Sequence, residues 1–450
     1  MDFDSLDLLY NLFQKCSGVT TDSRKIEDGA MFVALKGENF DGNAFAQSAL
    51  EKGAAVVVVN KESDFAKEFS AQGLSSEKVF LVDDTLEALQ ALARYHRSHF
   101  NIPVIALTGT NGKTTTKELL SAVLSKKYNV TFTQGNLNNH IGVPLTLLRI
   151  SDQTEVAVIE MGANHPGEIA LLMSIALPNY GLVTNVGKAH LEGFGSFDGV
   201  MAAKGEMYDY LQRTADKVFF NCDDEYISGM VASRPDLIAY RYGVRYNTAE
   251  IEAVSEDKPF LGMSFSMQGE QVSLCSKLVG GYNANNVLAA VTVGRFFDVP
   301  LSDCAAAIEE YTPSNHRSQL ENTGKNFLIL DTYNANPSSM RISLSNFDQS
   351  KFSHKCIILG DMLELGADSA QEHKILLEQL SQVEFERAFL VGNEFCAVSE
   401  EFLSASGEKM MFFKNVNELK EYFVQNPLQG RSVLMKGSNG IKLPLLREVL

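Results

Sequence analysis

Residues 102–124 constrain this chain more than any other segment. Ile102-Pro103-Val104-Ile105-Ala106-Leu107 is an apolar run of strand length, and Gly109-Thr110-Asn111-Gly112-Lys113-Thr114-Thr115 is a glycine-punctuated loop. Leu119, Leu120, Val123 and Leu124 then share one face of a helix. An unbroken apolar strand is buried on both faces, so it demands helices above and below and predicts α/β layers. In a loop of this kind consecutive N–H groups and a helix N-terminus surround phosphates, a lysine bridges their oxygens and a hydroxyl ligates magnesium. Gly112, Lys113 and Thr114 supply those parts. The usual eight-residue fingerprint would carry glycine at position 107, where this chain has Leu107, so the loop is a shorter variant. A Gly-Lys-Thr turn can also merely cap a helix; the strand before it and the helix after it favour phosphate.

At 450 residues the chain exceeds what one hydrophobic core sustains, and β-type runs alternate with helix-length segments along most of it. Three α/β domains are expected. Residues 1–98 form a small N-terminal domain with strands at Met31–Leu35, Ala54–Val59 and Val79–Val82 and a helix from Thr85 to His99. Residues 99–312 form a central P-loop-type parallel-sheet domain, with further strands at Val156–Ile159, Gly181–Thr184 and Val218–Phe220 and a helix from Asn283 to Phe296. Residues 313–450 form a dinucleotide-fold-like domain with strands at Phe327–Leu330, Cys356–Leu359, Ala388–Val391 and Ser432–Met435.

Thirty-nine basic against fifty-six acidic side chains leave a formal charge of −17, which argues against general attraction to nucleic acid or anionic membrane. Any anionic ligand must be caught locally. The opening MDFDSLDLLYNLFQKCSG carries acids where a secretory signal carries lysine or arginine, and no apolar run reaches membrane-span length, so a cytoplasmic location is expected. Cys16, Cys222, Cys275, Cys304, Cys356 and Cys396 are scattered singly and are expected to be reduced and mostly buried.

Magnesium needs hard oxygen ligands, and ligands gather at the carboxyl ends of parallel strands. Glu160 follows Val156-Ala157-Val158-Ile159, and His190 follows a second such strand; either alone is more often a capping or packing group, but their matching positions after strands favour the metal. Gly135-Asn136-Leu137-Asn138-Asn139-His140-Ile141-Gly142-Val143-Pro144 suits a loop that hydrogen-bonds a polar ligand, or a turn with left-handed asparagines. The same two readings apply to Asp331-Thr332-Tyr333-Asn334-Ala335-Asn336-Pro337 and to Asn283-Ala284-Asn285-Asn286.

Together, over nearly the whole chain, these segments resemble the Mur ligase family, ATP-dependent amide-forming enzymes that build the peptide of the bacterial cell-wall precursor. Also similar are Thr21-Asp22-Ser23-Arg24-Lys25, Leu35-Lys36-Gly37-Glu38-Asn39-Phe40-Asp41-Gly42, Val158-Ile159-Glu160-Met161-Gly162-Ala163, Leu359-Gly360-Asp361-Met362-Leu363-Glu364-Leu365-Gly366 and Lys436-Gly437-Ser438. The run Tyr333-Asn334-Ala335-Asn336-Pro337 is most similar to members that add D-alanyl-D-alanine to UDP-N-acetylmuramoyl tripeptide. The resemblance implies a first domain holding the uridine diphosphate end of the sugar, a central ATPase domain, and a mobile third domain closing over the nucleotide. It implies ATP contacts from Gly109, Thr110, Asn111, Gly112, Lys113, Thr114, Thr115, Asn283, Asn286, Arg317 and Asp331. Two magnesium ions would be served by Thr114, Glu160, His190 and Lys204, the last falling where the family carries a carbamylated lysine. Lys113, His190 and Lys204 are the catalytic candidates, and Ser23, Arg24, Lys36, Asn39, Asn138, Asn139, Tyr333, Asn334 and Asn336 the substrate-binding ones. A monomer is expected. The alternatives are a sibling ligase adding the third amino acid, a folylpolyglutamate synthase-like enzyme, or a P-loop ATPase module that hydrolyses nucleotide to move a partner.

Overall fold

The computed structural model describes residues 1–71, 77–313, 317, 319–402 and 409–450. Its contacts divide it into two compact units. The first comprises Met1–Leu107, Tyr128–Ala163 and Gly167–Gly181; the second comprises Thr108–Lys127, Asn164–Pro166 and Leu182–Leu450. The stretch expected as a central domain therefore contributes to both.

In the first unit, Val19–Thr20, Met31–Val33, Val56–Asn60 and Val79–Val82 pair in that order as a four-stranded parallel sheet. Its β-branched core strand Val56–Asn60 is buried along nearly its whole length, as a parallel strand covered on both faces must be. The expected strand Met31–Leu35 stops at Val33, because Leu35 turns to accept the Gly42 N–H and Lys36 bridges to Asp41. The helix Thr85–Ser98 starts at Asp84, whose carboxylate accepts the N–H groups of Leu86 and Glu87. Its buried Ala88, Leu89, Leu92 and Ala93 face the helices Gly142–Leu147 and Glu168–Ala176. Also in this unit, Val156–Glu160 pairs in parallel with Val104–Leu107 on one side and Val130–Phe132 on the other.

In the second unit the helix Lys113–Leu124 packs along Ala284–Phe296, and Lys217–Asn221 pairs in parallel with Ile238–Tyr242. A six-stranded sheet runs in the order Gln319–Asn322, Phe327–Asp331, Ser432–Lys436, Lys355–Gly360, Arg387–Val391 and Met410–Phe413. Its first pair is antiparallel and the others are parallel. Apolar clusters cover both of its faces, one around Leu344, Leu359 and Leu377 and the other around Phe389, Leu419 and Phe423.

The α/β reading holds, but the strands Val19–Thr20, Val130–Phe132, Ile238–Tyr242 and Met410–Phe413 were not anticipated, and two antiparallel features also escaped it. The edge strand Gln319–Asn322 is one. The other is an antiparallel sheet of Glu250–Ile251, Gly262–Met267 and Glu270–Cys275, whose outer strands are largely exposed and carry no apolar run. The expectation of mostly buried thiols is corrected. All six cysteines are free, but only Cys304 and Cys356 are buried; Cys275 is exposed, because it ends the outer strand of that antiparallel sheet. Among the described residues no helix is long and apolar enough to cross a membrane.

The packing of Lys113–Leu124 on Ala284–Phe296 depends on Gly294, where an added Cβ would meet Val123 Cγ1 at 2.3 Å and Cys304 Sγ at 3.0 Å. Alanine in a helix interior ordinarily stabilises by about 1 kcal/mol relative to glycine. Here overpacking wins, so Gly294→Ala should destabilise by about 1–3 kcal/mol and lower the melting temperature. A higher melting temperature would show that this helix pair has room to separate.

Candidate active site

The loop after Val104–Thr108 is shaped by two glycines and by a second loop. Gly109 has φ +149° and Gly112 φ +77°; a side chain at Gly109 would strike Thr184 Oγ1 at 1.9 Å, and one at Gly112 would strike Asn286 Oδ1 at 2.7 Å. Residues 184–187 hold the loop from behind. Thr184 Oγ1 and Asn185 Nδ2 donate to the Asn111 carbonyl at 2.6 and 2.9 Å, and the Asn111 N–H donates to Asn185 Oδ1 at 2.9 Å. The Thr110 hydroxyl donates to the Gly187 carbonyl at 3.1 Å and accepts the Gly187 N–H at 2.9 Å. The helix then starts at Lys113, whose ammonium lies over its own loop, 2.8 Å from the Gly109 carbonyl and 3.2 Å from that of Thr110. An oxyanion bound there would take the same ammonium. Thr114 and Thr115 are buried beside it.

Asn283 and Asn286 form a buried relay behind the loop. Thr116 Oγ1 donates to Asn286 Oδ1 at 3.1 Å, Asn286 Nδ2 to Asn283 Oδ1 at 2.9 Å, and Asn283 Nδ2 to the Val279 carbonyl at 2.9 Å. Both carboxamides support the helix that carries Lys113.

Lys113, His190 and Lys204 form one group of interacting basic side chains. His190 has φ +51°, a left-handed conformation that costs a non-glycine residue roughly 1 kcal/mol and marks a position held by its surroundings. Its Nδ1 lies 2.5 Å from Glu364 Oε2. Burial holds the imidazole below its ordinary pKa; Glu364 opposes that shift, while Lys113 and Lys204 add to it. Lys204, on the helix Phe197–Arg213, is 4% exposed. Burial, with a smaller contribution from Lys113, lowers its amine to about 7. The ammonium stands 6.0 Å from the Phe194 ring and has no carboxylate partner among the described residues.

Asn336 brings in the segment after Phe327–Asp331. Its Nδ2 donates to Asn111 Oδ1 at 2.8 Å, while its Oδ1 caps the helix Pro337–Gln349 by accepting the Ser339 N–H. Arg317 lies over the Tyr333 ring, 3.7 Å from its centroid. Asp331 Oδ2 accepts from the buried Lys436 ammonium at 2.6 Å and from Ser343 Oγ at 3.2 Å, and Lys436 also reaches the Asn334 carbonyl. In this arrangement the Asp331 carboxylate is held by the protein.

The remaining candidates lie in the first unit. Glu160 is buried at the end of its strand; Asn138 Nδ2 donates to its Oε1 at 2.8 Å, and its N–H donates to Thr133 Oγ1 at 2.9 Å. Asn139 Oδ1 accepts the N–H groups of Ile141 and Gly142 at the start of the helix Gly142–Leu147, but the left-handed asparagines of the turn reading are not found, since only Gly135 of residues 135–144 has positive φ. Arg24 forks onto Asp22 at the surface, the Ser23 carbonyl accepts from Lys52, Lys36 lies 3.9 Å from Asp41, and Asn39 is exposed. These four form no cluster with one another through a hydrogen bond or ion pair. Among the described residues no group of three or more His, Cys, Asp and Glu side chains could hold a metal by itself. Thr184, Asn185 and Glu364 were not singled out as site residues from sequence; the asparagine directly after the strand Tyr180–Val183 and its Thr184 was the signal for the first two.

Three family profiles match in series: "Mur ligase family, catalytic domain" over residues 15–97, "Mur ligase middle domain" over 107–294, and "Mur ligase, glutamate ligase domain" over 316–439. The UDP-N-acetylmuramoyl-tripeptide–D-alanyl-D-alanine ligase of Bacillus subtilis is 34% identical over 430 residues, covering 95% of this chain and 91% of that protein. The chain belongs to the Mur ligase family. Its fold is that of MurF from Acinetobacter baumannii, at TM-score 0.85 and 29% identity over 98% of this chain and 97% of that one. The MurF ligase of Thermotoga maritima, solved in complex with ADP, gives TM-score 0.82 at 25% identity with the same coverage.

In this Mur ligase the depressed Lys204 amine has a consequence for stability. An unfolded lysine takes up its proton near pH 10.5, the folded one near 7, so the folded state is penalised increasingly as pH falls from about 10.5 to 7 and constantly below. In carbon dioxide-free buffer, Lys204→Met should therefore be more stable than the parent at pH 7, by on the order of a few kcal/mol. The gain should shrink towards pH 10. A variant less stable at pH 7 than the parent would mean that the ammonium has a partner after all.

Proposed function

We propose that this chain joins D-alanyl-D-alanine to UDP-N-acetylmuramoyl tripeptide and converts ATP to ADP and phosphate, in building the bacterial cell-wall precursor. The observation that carries this reading is the 34% identity to a ligase of that name along 95% of the chain, in which Thr110 and Asn111 of the phosphate loop are held by residues 184–187. Residues 1–98 would hold the UDP-sugar, 99–312 the ATP, and 313–450 would close over the nucleotide and take the dipeptide. The enzyme would act as a monomer in the cytoplasm, where ATP is available.

The tripeptide carboxylate attacks the γ-phosphoryl group, and the acyl phosphate is then attacked by the neutral amine of the dipeptide, releasing phosphate. Two anions meet in the first step, so positive charge must be fixed in advance where the transferred group passes. The loop Gly109–Thr115 would cradle the phosphates at the helix N-terminus, with the Thr110 and Asn111 N–H groups committed to Asn185, and Lys113 would neutralise the developing charge. Asn283, Asn286, Arg317 and Asp331 belong to the nucleotide side. Ser23, Arg24, Lys36 and Asn39 would hold the UDP-sugar, and Asn138, Asn139, Tyr333, Asn334 and Asn336 the peptide substrates.

The donor set fits magnesium once Lys204 is changed chemically. Thr114 and Glu160 offer hard oxygen and His190 a nitrogen, whereas a bare ammonium repels a cation. Carbon dioxide adds to the neutral amine with loss of one proton, giving a carbamate with two oxygens. An amine lowered to about 7 supplies that neutral form at physiological pH. Up to two magnesium ions held by Thr114, Glu160, His190 and the carbamate would neutralise phosphate charge.

Lys113→Ala should reduce phosphate release by a factor of about 10³ or more with the fold retained, since the ammonium lies over the loop, against the Gly109 and Thr110 carbonyls, and not in an apolar core. Mass spectrometry of the parent reaction should show the pentapeptide product only when tripeptide, dipeptide and ATP are all present. Equal turnover with a single free amino acid would move the chain to a sibling ligase, and turnover without a carboxylate substrate to a plain ATPase. Stripping carbon dioxide should lower the activity and bicarbonate should restore it, with Lys204→Arg inactive in both conditions. An active Lys204→Arg enzyme would exclude the carbamate.

A further inference from the structure

Residues 184–190 do two jobs in succession. Thr184, Asn185 and Gly187 grip Thr110 and Asn111 of the phosphate loop. The next residues turn to the segment that follows Arg317. The Lys188 N–H donates to Ser338 Oγ at 3.0 Å, the Lys188 ammonium reaches Glu372 Oε1 at 2.6 Å, and His190 meets Glu364. Asn336 closes the circuit by donating to Asn111.

These contacts differ in kind. Glu364 is 60% exposed, so its pair is screened by water. Glu372, on the helix Ser369–Leu380, is 4% exposed, and its second oxygen accepts from Arg341 Nη2 at 3.2 Å. Arg341 comes from the neighbouring helix Pro337–Gln349 and is itself fixed by the Pro337 carbonyl, so it orients the carboxylate within the same sheet-and-helix layer. A buried carboxylate must be paired, and breaking such a pair costs far more than breaking a surface one. Lys188, 44% exposed, is the only partner of Glu372 among the described residues that comes from the phosphate-loop side.

We propose that Glu372 is a positioning residue for the ligase reaction: by holding Lys188 it locks residues 184–190, and through them the phosphate loop, against the segment that carries Asn336. No substrate touches Glu372 in this scheme. It acts by fixing the geometry in which the Asn336–Asn111 bond forms. Neither Lys188 nor Glu372 is among the residues assigned to the nucleotide, whereas the acyl transfer needs both layers in register, so the loss should appear in kcat and not in the KM for ATP.

This rests on the ligase reading, and the test separates the two. Lys188→Met, Glu372→Gln and the double variant are compared with the parent by dipeptide-dependent phosphate release and by thermal melting. Each single variant should lose about tenfold in kcat with the KM for ATP within about twofold, and the double variant should be no worse than either single one, because all three lack the same contact. Should Glu372→Gln fail to fold, Lys188→Met tests the same pair from its exposed end. Parental kcat in the single variants, or losses that multiply in the double variant, would overturn the proposal. A parent enzyme without dipeptide-dependent turnover would instead overturn the ligase reading.

Discussion

A phosphate loop must be held in one shape before its ligand arrives, and that leaves the polar groups of its outer side, the Thr110 and Asn111 N–H groups among them, to be satisfied from behind. Thr184 and Asn185 meet this requirement at the Asn111 carbonyl, and Gly187 meets it at the Thr110 hydroxyl. The backing is so close that Gly109 has no room for a side chain against Thr184. Much else in the second unit follows from this docking. The loop that supplies it continues into Lys188 and His190, and the buried Asn286 that steadies the helix behind Lys113 approaches the same turn at Gly112.

The site accepts an electrostatic cost for this arrangement. Lys113, His190 and Lys204 repel one another, and burial shifts His190 and Lys204 away from their charged forms. A core selected for stability alone would have filled the Lys204 position with an apolar side chain, as its neighbour Ala203 and the nearby Phe194 suggest. A local group of basic side chains, two of them held towards neutrality by burial, inside a chain of net charge −17 suits an enzyme that must collect anionic groups at one place while leaving its outer surface unattractive to polyanions.

Much of the fold was legible because parallel strands buried on both faces are written as unbroken apolar runs. The runs Ile102–Leu107, Val156–Ile159 and Cys356–Leu359 each hold a strand, at Val104–Thr108, Val156–Glu160 and Lys355–Gly360. Strands with an exposed side, such as Glu270–Cys275 with its glutamate, glutamine and serine, leave no such trace. At the site, the glycines and Lys113 were legible because few residues tolerate positive φ or can bridge phosphates. The carboxamides were not. Asn139 proves to cap a helix, Asn138 binds Glu160, Asn283 and Asn286 brace a helix, and Asn336 both caps a helix and reaches Asn111. One residue type serves all these purposes, and only the fold distinguishes them.

That versatility explains why Asn336 carries so much of the architecture. Its side chain has an acceptor and a donor pointing in different directions. The oxygen is committed to the start of Pro337–Gln349, leaving the amide free to read the state of the phosphate loop. An aspartate could cap the helix equally well but would present a second acceptor to Asn111. The carboxamide links the helix N-terminus to the loop with neutral hydrogen bonds, which is what a site crowded with triphosphate oxygens requires. Fixed anionic charge in this segment is kept at Asp331, where the Lys436 ammonium compensates it, and at Glu372, where two cations do so.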